Sequence, residues 1–368
     1  MSDTSVSTVS SIKAHRNSSL ELLRILSMFL VLLLHANFTT FGFPSVAEAR
    51  ANPLPSFLQL SAEALCIVAV NTYILISGYF GIRLQGKGLA NLLFQSSFYS
   101  GSAYLLFLVI SGYVTAFKLS TLLTQCLPLL KAGGWFLPSY VGLMLLSPLL
   151  ERALAQLKTR ELGRYLLLYY ILHTIWVFFF KTMDGNDGYS IFSFIGIYLL
   201  GSYLKRTKVH WSKILRWKFL AGYISISLFS ALLFLGISII TGITLEQAAL
   251  PYWFMSYASP LVIASAVCLF LFFASRDFHS KWINAIAGST LAVYLLHCHD
   301  GLFPLYREYI WQLHFDKPIW LFLLELLAFI VAVFGVSILI DQLRLVLWKY
   351  QVLPLYLRIE TAVKRRFS

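Results

Sequence analysis

The chain is written as long apolar runs separated by short polar or charged stretches. Runs bounded by charge, Gly or Pro fall near residues 20–41, 57–82, 89–114, 134–151, 162–181, 190–204, 217–240, 251–274, 286–305 and 318–347. Most approach the ~20 residues a helix needs to cross a bilayer's hydrocarbon core, and strands are much shorter than this. The pattern predicts an all-α fold, a polytopic bundle of about ten transmembrane helices. The run at 190–204 is short, and Pro138 and Pro148 interrupt the one at 134–151. Residues 1–18 are rich in Ser and Thr and poor in apolar side chains, which predicts a disordered N-terminus. A transmembrane domain over 19–348 and a basic tail over 349–368 complete the chain. Lys13 and Arg16 ahead of an apolar run resemble a signal peptide. No small-residue cleavage site follows, however, and the run continues into His35, Ala36 and Asn37, so the first span is expected to stay uncleaved.

Composition supports the same fold. Hydrophobic residues make up 58% of the chain and charged residues 12%, against roughly 25% charged in soluble domains. No water-facing surface can be built from that remainder. The net charge of +13 is explained by topology rather than by nucleic acid, because Lys and Arg collect on cytoplasmic loops. With the N-terminus inside, only Arg50, Lys118, Lys131, Lys181, Arg307 and Lys317 lie outside. Arg24 is within a span, which leaves 22 of the 29 Lys and Arg inside. Both termini are therefore expected in the cytoplasm. The longest outer loop, about 115–133, is too short for a large external domain, so any chemistry must sit among the helices. Cys66, Cys126, Cys268 and Cys298 are far apart, which is neither a disulfide framework nor a zinc spacing, and no metal is expected.

Ionisable side chains within spans are costly to bury and become site candidates for that reason. Arg24 and His35 are eleven residues apart in the first run. At 100° per residue they share one helix face, roughly 16 Å apart along the axis, with Met28 and Val31 between them. That stripe suits a molecule threaded along the helix, anionic part at Arg24 and reactive end at His35. Arg24 is equally placed to pair with Glu21 at i,i+3 or to snorkel, and His35 to be a hydrogen-bonded bundle histidine. Glu63 and Glu325 fall in the outer half, where each can hold a substrate hydroxyl, orient a histidine or simply be protonated. His297 and Asp300 share a face if the ninth run is one helix, and Cys298 and His299 then point elsewhere. His173 is expected to be structural.

Four elements, in order, resemble the acyltransferase-3 family of membrane proteins. They are Arg24 with His35 ten residues beyond, Ser77-Gly78-Tyr79-Phe80, Gly133-Gly134-Trp135-Phe136-Leu137, and Ser289-Thr290 with Val293-Tyr294-Leu295-Leu296-His297. Many family members carry two arginines just after the Ser-Gly element, whereas here only Arg83 and Lys87 follow. The resemblance implies a bacterial inner-membrane protein that moves an acyl group, usually acetyl, from a cytoplasmic acyl-CoA to a sugar hydroxyl of an envelope polysaccharide or glycolipid. Acetyl-CoA would be a co-substrate, with no bound cofactor. His35 would be the base, Arg24 would hold donor phosphates, and His297 would be the second choice as base or acceptor-orienting group. Tyr79, Arg83, Lys87, Trp135 and Tyr294 would join Glu63 and Glu325 in substrate binding. Ser77 and Gly78 suit close helix approach rather than nucleophilic chemistry. A non-catalytic transporter of an envelope glycan or lipid-linked sugar is the alternative, and a sensory or structural subunit a third reading.

Overall fold

The structure is a computed structural model that describes residues 16–127, 134–179, 188–242, 252–315 and 317–367. Residues 1–15 of the expected N-terminal segment, and Gly133, lie outside the described residues. Among the described residues every regular element is helical. The long helices in chain order are α1 (Ser18–Phe41), α2 (Pro53–Cys66), α3 (Val68–Phe80), α4 (Gly86–Ile110), α5 (Phe136–Gln156) and α6 (Thr159–Phe179). They continue with α7 (Ile191–Arg206), α8 (Arg216–Thr241), α9 (Pro260–Ala274), α10 (Lys281–Gly288), α11 (Thr290–His297), α12 (Leu302–His314), α13 (Ile319–Leu347) and α14 (Leu353–Phe367). Among the described residues, five stretches are long and apolar enough to cross a membrane: α1, α2 with α3, α4, α8, and the run from Ile319 to Arg365. The chain is a multi-pass membrane protein. Large apolar side chains such as Leu323, Leu327, Val331 and Leu339 of α13 point outward, as a lipid-facing helix requires.

The first helix is set by its ends. Asn17 caps it, its side chain accepting from the backbone N–H of Ser19 at 2.9 Å and satisfying a donor the helix cannot. Gly42, at φ 75°, stops it by turning the chain and donating to the Phe38 carbonyl. Between these ends α1 runs through the centre of the bundle, touching α2, α3 and each of α9 to α13. The closest crossing nearby is α3 against α7. A Cβ on Gly78 would lie 2.0 Å from the Tyr198 carbonyl oxygen, and one on Gly201 would lie 2.4 Å from that of Leu75. Only glycine fits at either place, so Gly78 does serve helix approach.

Three expected helices differ: the second, expected over 57–82, is divided at Ile67 into α2 and α3. The eighth run, expected from 251, is helical at Tyr252 and Trp253, opens into turns, and is helical again from Pro260, which starts α9. The ninth, expected as one span over 286–305, is broken into α10, α11 and α12. The second break follows from local chemistry. After His297 the chain reads Cys298-His299-Asp300-Gly301, and the His299 side chain accepts the Gly301 N–H at 3.1 Å, competing with the helical ladder. At the other end the expected tail is helical: α13 passes through a π-turn at Trp348–Val352 into α14.

Candidate functional site

The stripe read from the first helix lines a real cavity. Arg24, Met28 and Val31 of α1 form one wall of a space of about 300 Å³, and Thr290 and Tyr294 of α11 are on another. Arg24 pairs with Glu21, at 3.0 and 3.1 Å to the two carboxylate oxygens, and Glu21 also takes Arg16 at 3.2 Å. Arg24 thus does both things the sequence allowed: it pairs with Glu21 and it faces the cavity. Tyr73 of α3 fixes this part of α1 by donating its hydroxyl to the Arg24 carbonyl at 2.7 Å.

One turn beyond Val31, His35 meets His297. Nδ1 of His35 lies 2.9 Å from Nε2 of His297. Nδ1 of His297 lies 2.6 Å from the Val293 carbonyl, which can only accept. His297 must therefore be protonated on Nδ1, and as a neutral ring it keeps a lone pair on Nε2. His35 then donates from Nδ1, and its own lone pair sits on Nε2, which makes no hydrogen bond among the described residues. A backbone carbonyl thereby selects, through two rings, the tautomer of His35. Phe303 holds the His35 ring edge-on, with centroids 5.2 Å apart. At the same turn of α1, the Thr40 hydroxyl donates to the His35 carbonyl at 3.1 Å, and Thr39 does likewise.

A second cavity, about 540 Å³, reaches the pair from elsewhere. His297, Leu296 and Tyr306 line it together with Glu308 and Gln312 of α12 and Val333 of α13. The first cavity has charged side chains, Arg16 and Arg24, in its wall together with Val31 and Tyr294. The second is largely apolar and has His297 in its wall. Of the histidine couple, His297 lines the second cavity and His35 follows the first-cavity residue Val31 by one turn of α1, and a couple with one free ring nitrogen is suited to proton transfer.

The other sequence-predicted residues are placed as follows. Glu63 is buried on α2 and accepts from the Asn37 amide at 3.1 Å, two residues past His35. Tyr294 lies between the cavity and the pair, 5.2 Å from Phe136 and 6.1 Å from His297 by ring centroids. Trp135 packs among Tyr189, Phe194 and Tyr257. Tyr79 packs against Phe270 in the core. Arg83 and Lys87 are exposed at the α3–α4 connection and do not line the first cavity. Glu325 pairs with Lys317 near the start of α13. His173 bonds Ser193 at 2.8 Å, in keeping with a structural role.

The broken ninth run corrects the expectation for its neighbours. Asp300 is exposed on the turn and no longer shares a helix face with His297. Cys298, expected to point elsewhere, comes to 3.3 Å from His297 Nε2 and 3.8 Å from His35 Nδ1. The sequence reading also missed a buried group on α13. Arg344 pairs with Asp341 at 2.7 Å and reaches Asn91 at 3.2 Å, while the Tyr99 hydroxyl donates to Asp341. Asp341 and Arg344, three apart in an apolar run, were its signal.

The acyltransferase-3 family model, described as an acyltransferase domain, matches residues 17–342. That range holds α1, both histidines and, apart from Arg16, the lining of both cavities. No curated protein and no solved structure matches the chain.

Proposed function

Since the chain belongs to the acyltransferase-3 family, we propose that it is an inner-membrane O-acyltransferase moving acetyl from acetyl-CoA to a hydroxyl of an envelope polysaccharide or glycolipid. The observation that carries this reading is the His35–His297 couple with its free ring nitrogen, His297 in the wall of one cavity and His35 one turn of α1 from Val31 in the wall of the other. The donor enters past Arg16 and Arg24, whose guanidinium groups match its phosphates, and its thioester arm follows the Met28–Val31 stripe. The acceptor hydroxyl comes to Nε2 of His35. That nitrogen takes the hydroxyl proton as the oxygen attacks the thioester carbonyl. The carbon–sulfur bond breaks, and the CoA thiolate leaves and recovers the proton from His35. His297 positions the base by accepting its Nδ1–H and stabilises the imidazolium that forms.

The test is donor turnover. Purified protein in lipid nanodiscs should release free CoA from acetyl-CoA only when envelope glycan is supplied, and the glycan should gain acetyl by mass spectrometry. A glycan transporter would leave acetyl-CoA intact under the same conditions, and that result would overturn the proposal.

A further inference from the structure

We infer that His35, His297 and Cys298 form a capture site for a thiophilic divalent cation of the zinc class, and that its occupation switches acyl transfer off. Three donor atoms converge here: Nδ1 of His35, Nε2 of His297 and Sγ of Cys298, at mutual separations of 2.9, 3.3 and 3.8 Å. Around a tetrahedral zinc with about 2.0 Å to nitrogen and 2.3 Å to sulfur, such atoms stand about 3.3 to 3.5 Å apart. Shifts of a few tenths of an ångström convert one arrangement into the other.

The surroundings match as well. His297 already gives its outer nitrogen to the Val293 carbonyl at 2.6 Å, the support that fixes a metal-binding imidazole with its lone pair turned inward. The 540 Å³ cavity with His297 in its wall supplies an approach. Two imidazoles and a thiolate favour zinc or cadmium over the oxygen-seeking magnesium and calcium.

Binding changes the proton positions at the base. The Cys298 thiol loses its proton to solvent. His35 must free Nδ1 for the cation, so its proton relocates to Nε2. The nitrogen that would accept the hydroxyl proton is then itself protonated. One proton leaves per cation bound, and no electron moves. The inhibitory half of the inference rests on the reading of His35 as base, whereas the binding half does not.

The experiment uses full-length protein purified with a non-histidine tag, as wild type and Cys298→Ala. Zinc retained after dialysis is measured by mass spectrometry, and cobalt(II) is added to the zinc-free protein to look for thiolate-to-metal charge-transfer absorption. Transfer is then titrated with zinc. Wild type should hold one zinc more than Cys298→Ala, show the cobalt–thiolate band, and lose activity that a chelator restores. Cys298→Ala should transfer acetyl at near wild-type rate but need at least about tenfold more zinc for inhibition, the smaller cost of losing even an outer-sphere partner. Equal zinc content in the two proteins, with no cobalt–thiolate band, overturns the site. A Cys298-dependent zinc that leaves turnover undiminished overturns the switch and, with it, His35 as the base.

Discussion

At the scale of single residues, the two histidines should not be equivalent. His35 presents the free nitrogen, so His35→Ala should lower transfer by at least about 100-fold, the usual minimum for a lost general base, at equal protein level. His297 acts through His35. His297→Ala should also impair transfer, but His297→Gln should recover part of it, because an amide oxygen can accept the Nδ1–H that Nε2 accepts now. Turnover of the three variants at saturating acetyl-CoA decides this, and equal rates for His297→Ala and His297→Gln would remove the positioning role. Arg24 is distinguishable from both. Arg24→Ala should raise the KM for acetyl-CoA more than it lowers kcat, with Arg24→Lys intermediate, since a lysine keeps the charge without the guanidinium fork. A fall in kcat alone would place Arg24 nearer the chemistry than its position at the cavity mouth suggests. The Arg24–Met28–Val31 wall was legible in the sequence because helical periodicity is local. The meeting of His35 with His297 was not, since it joins residues 262 apart and no pattern along the chain encodes it.

Helices show the same division between local and long-range information. Most of the long apolar runs became helices near their expected bounds, because a run of such length in lipid has no other way to satisfy its backbone. The ninth failed where His299 offered its neighbours a competing hydrogen bond. A span-length count reads apolarity and is blind to such a turn, and with the turn it lost Cys298. The family's Ser-Gly element yields a prediction about packing. Gly78 and Gly201 let α3 and α7 touch backbone to backbone, so Gly78→Val has no low-energy way to fit. Its overpacking should cost about 1–3 kcal/mol and lower the thermal midpoint of the purified protein. An unchanged midpoint would mean that the crossing is looser than described. The Asp341–Arg344 pair is a second packing device, joining α13 to α4 through Tyr99 and Asn91. Arg344 is 2% exposed, so Arg344→Met would strand a buried carboxylate, a loss of about 3–5 kcal/mol for such pairs.

For the whole molecule, the proposed reaction takes its donor from the cytoplasm, so it depends on which face of the bundle is cytoplasmic. On the Lys and Arg distribution the Arg16–Arg24 mouth is expected inside, the side of the proposed acetyl-CoA donor, and the end of α1 near Phe41 outside. The broken run bears on this argument, because α10, α11 and α12 must together cross once for both termini to share a side. Two exposed positions report on it from opposite ends: Lys118 in the loop after α4, and Lys205 in the last turn of α7. In a chain lacking its four native cysteines, Lys118→Cys should react with a membrane-impermeant thiol reagent in cells with an opened outer membrane. Lys205→Cys should react only after the inner membrane is permeabilised. Each position is separated from the Arg24 mouth by a different number of crossings, so the pair tests parity and not merely exposure. Reaction of both from the same side would show that α5, α6 and α7 do not all cross. The donor and acceptor routes would then have to be reassigned, although the contact between His35 and His297 would stand.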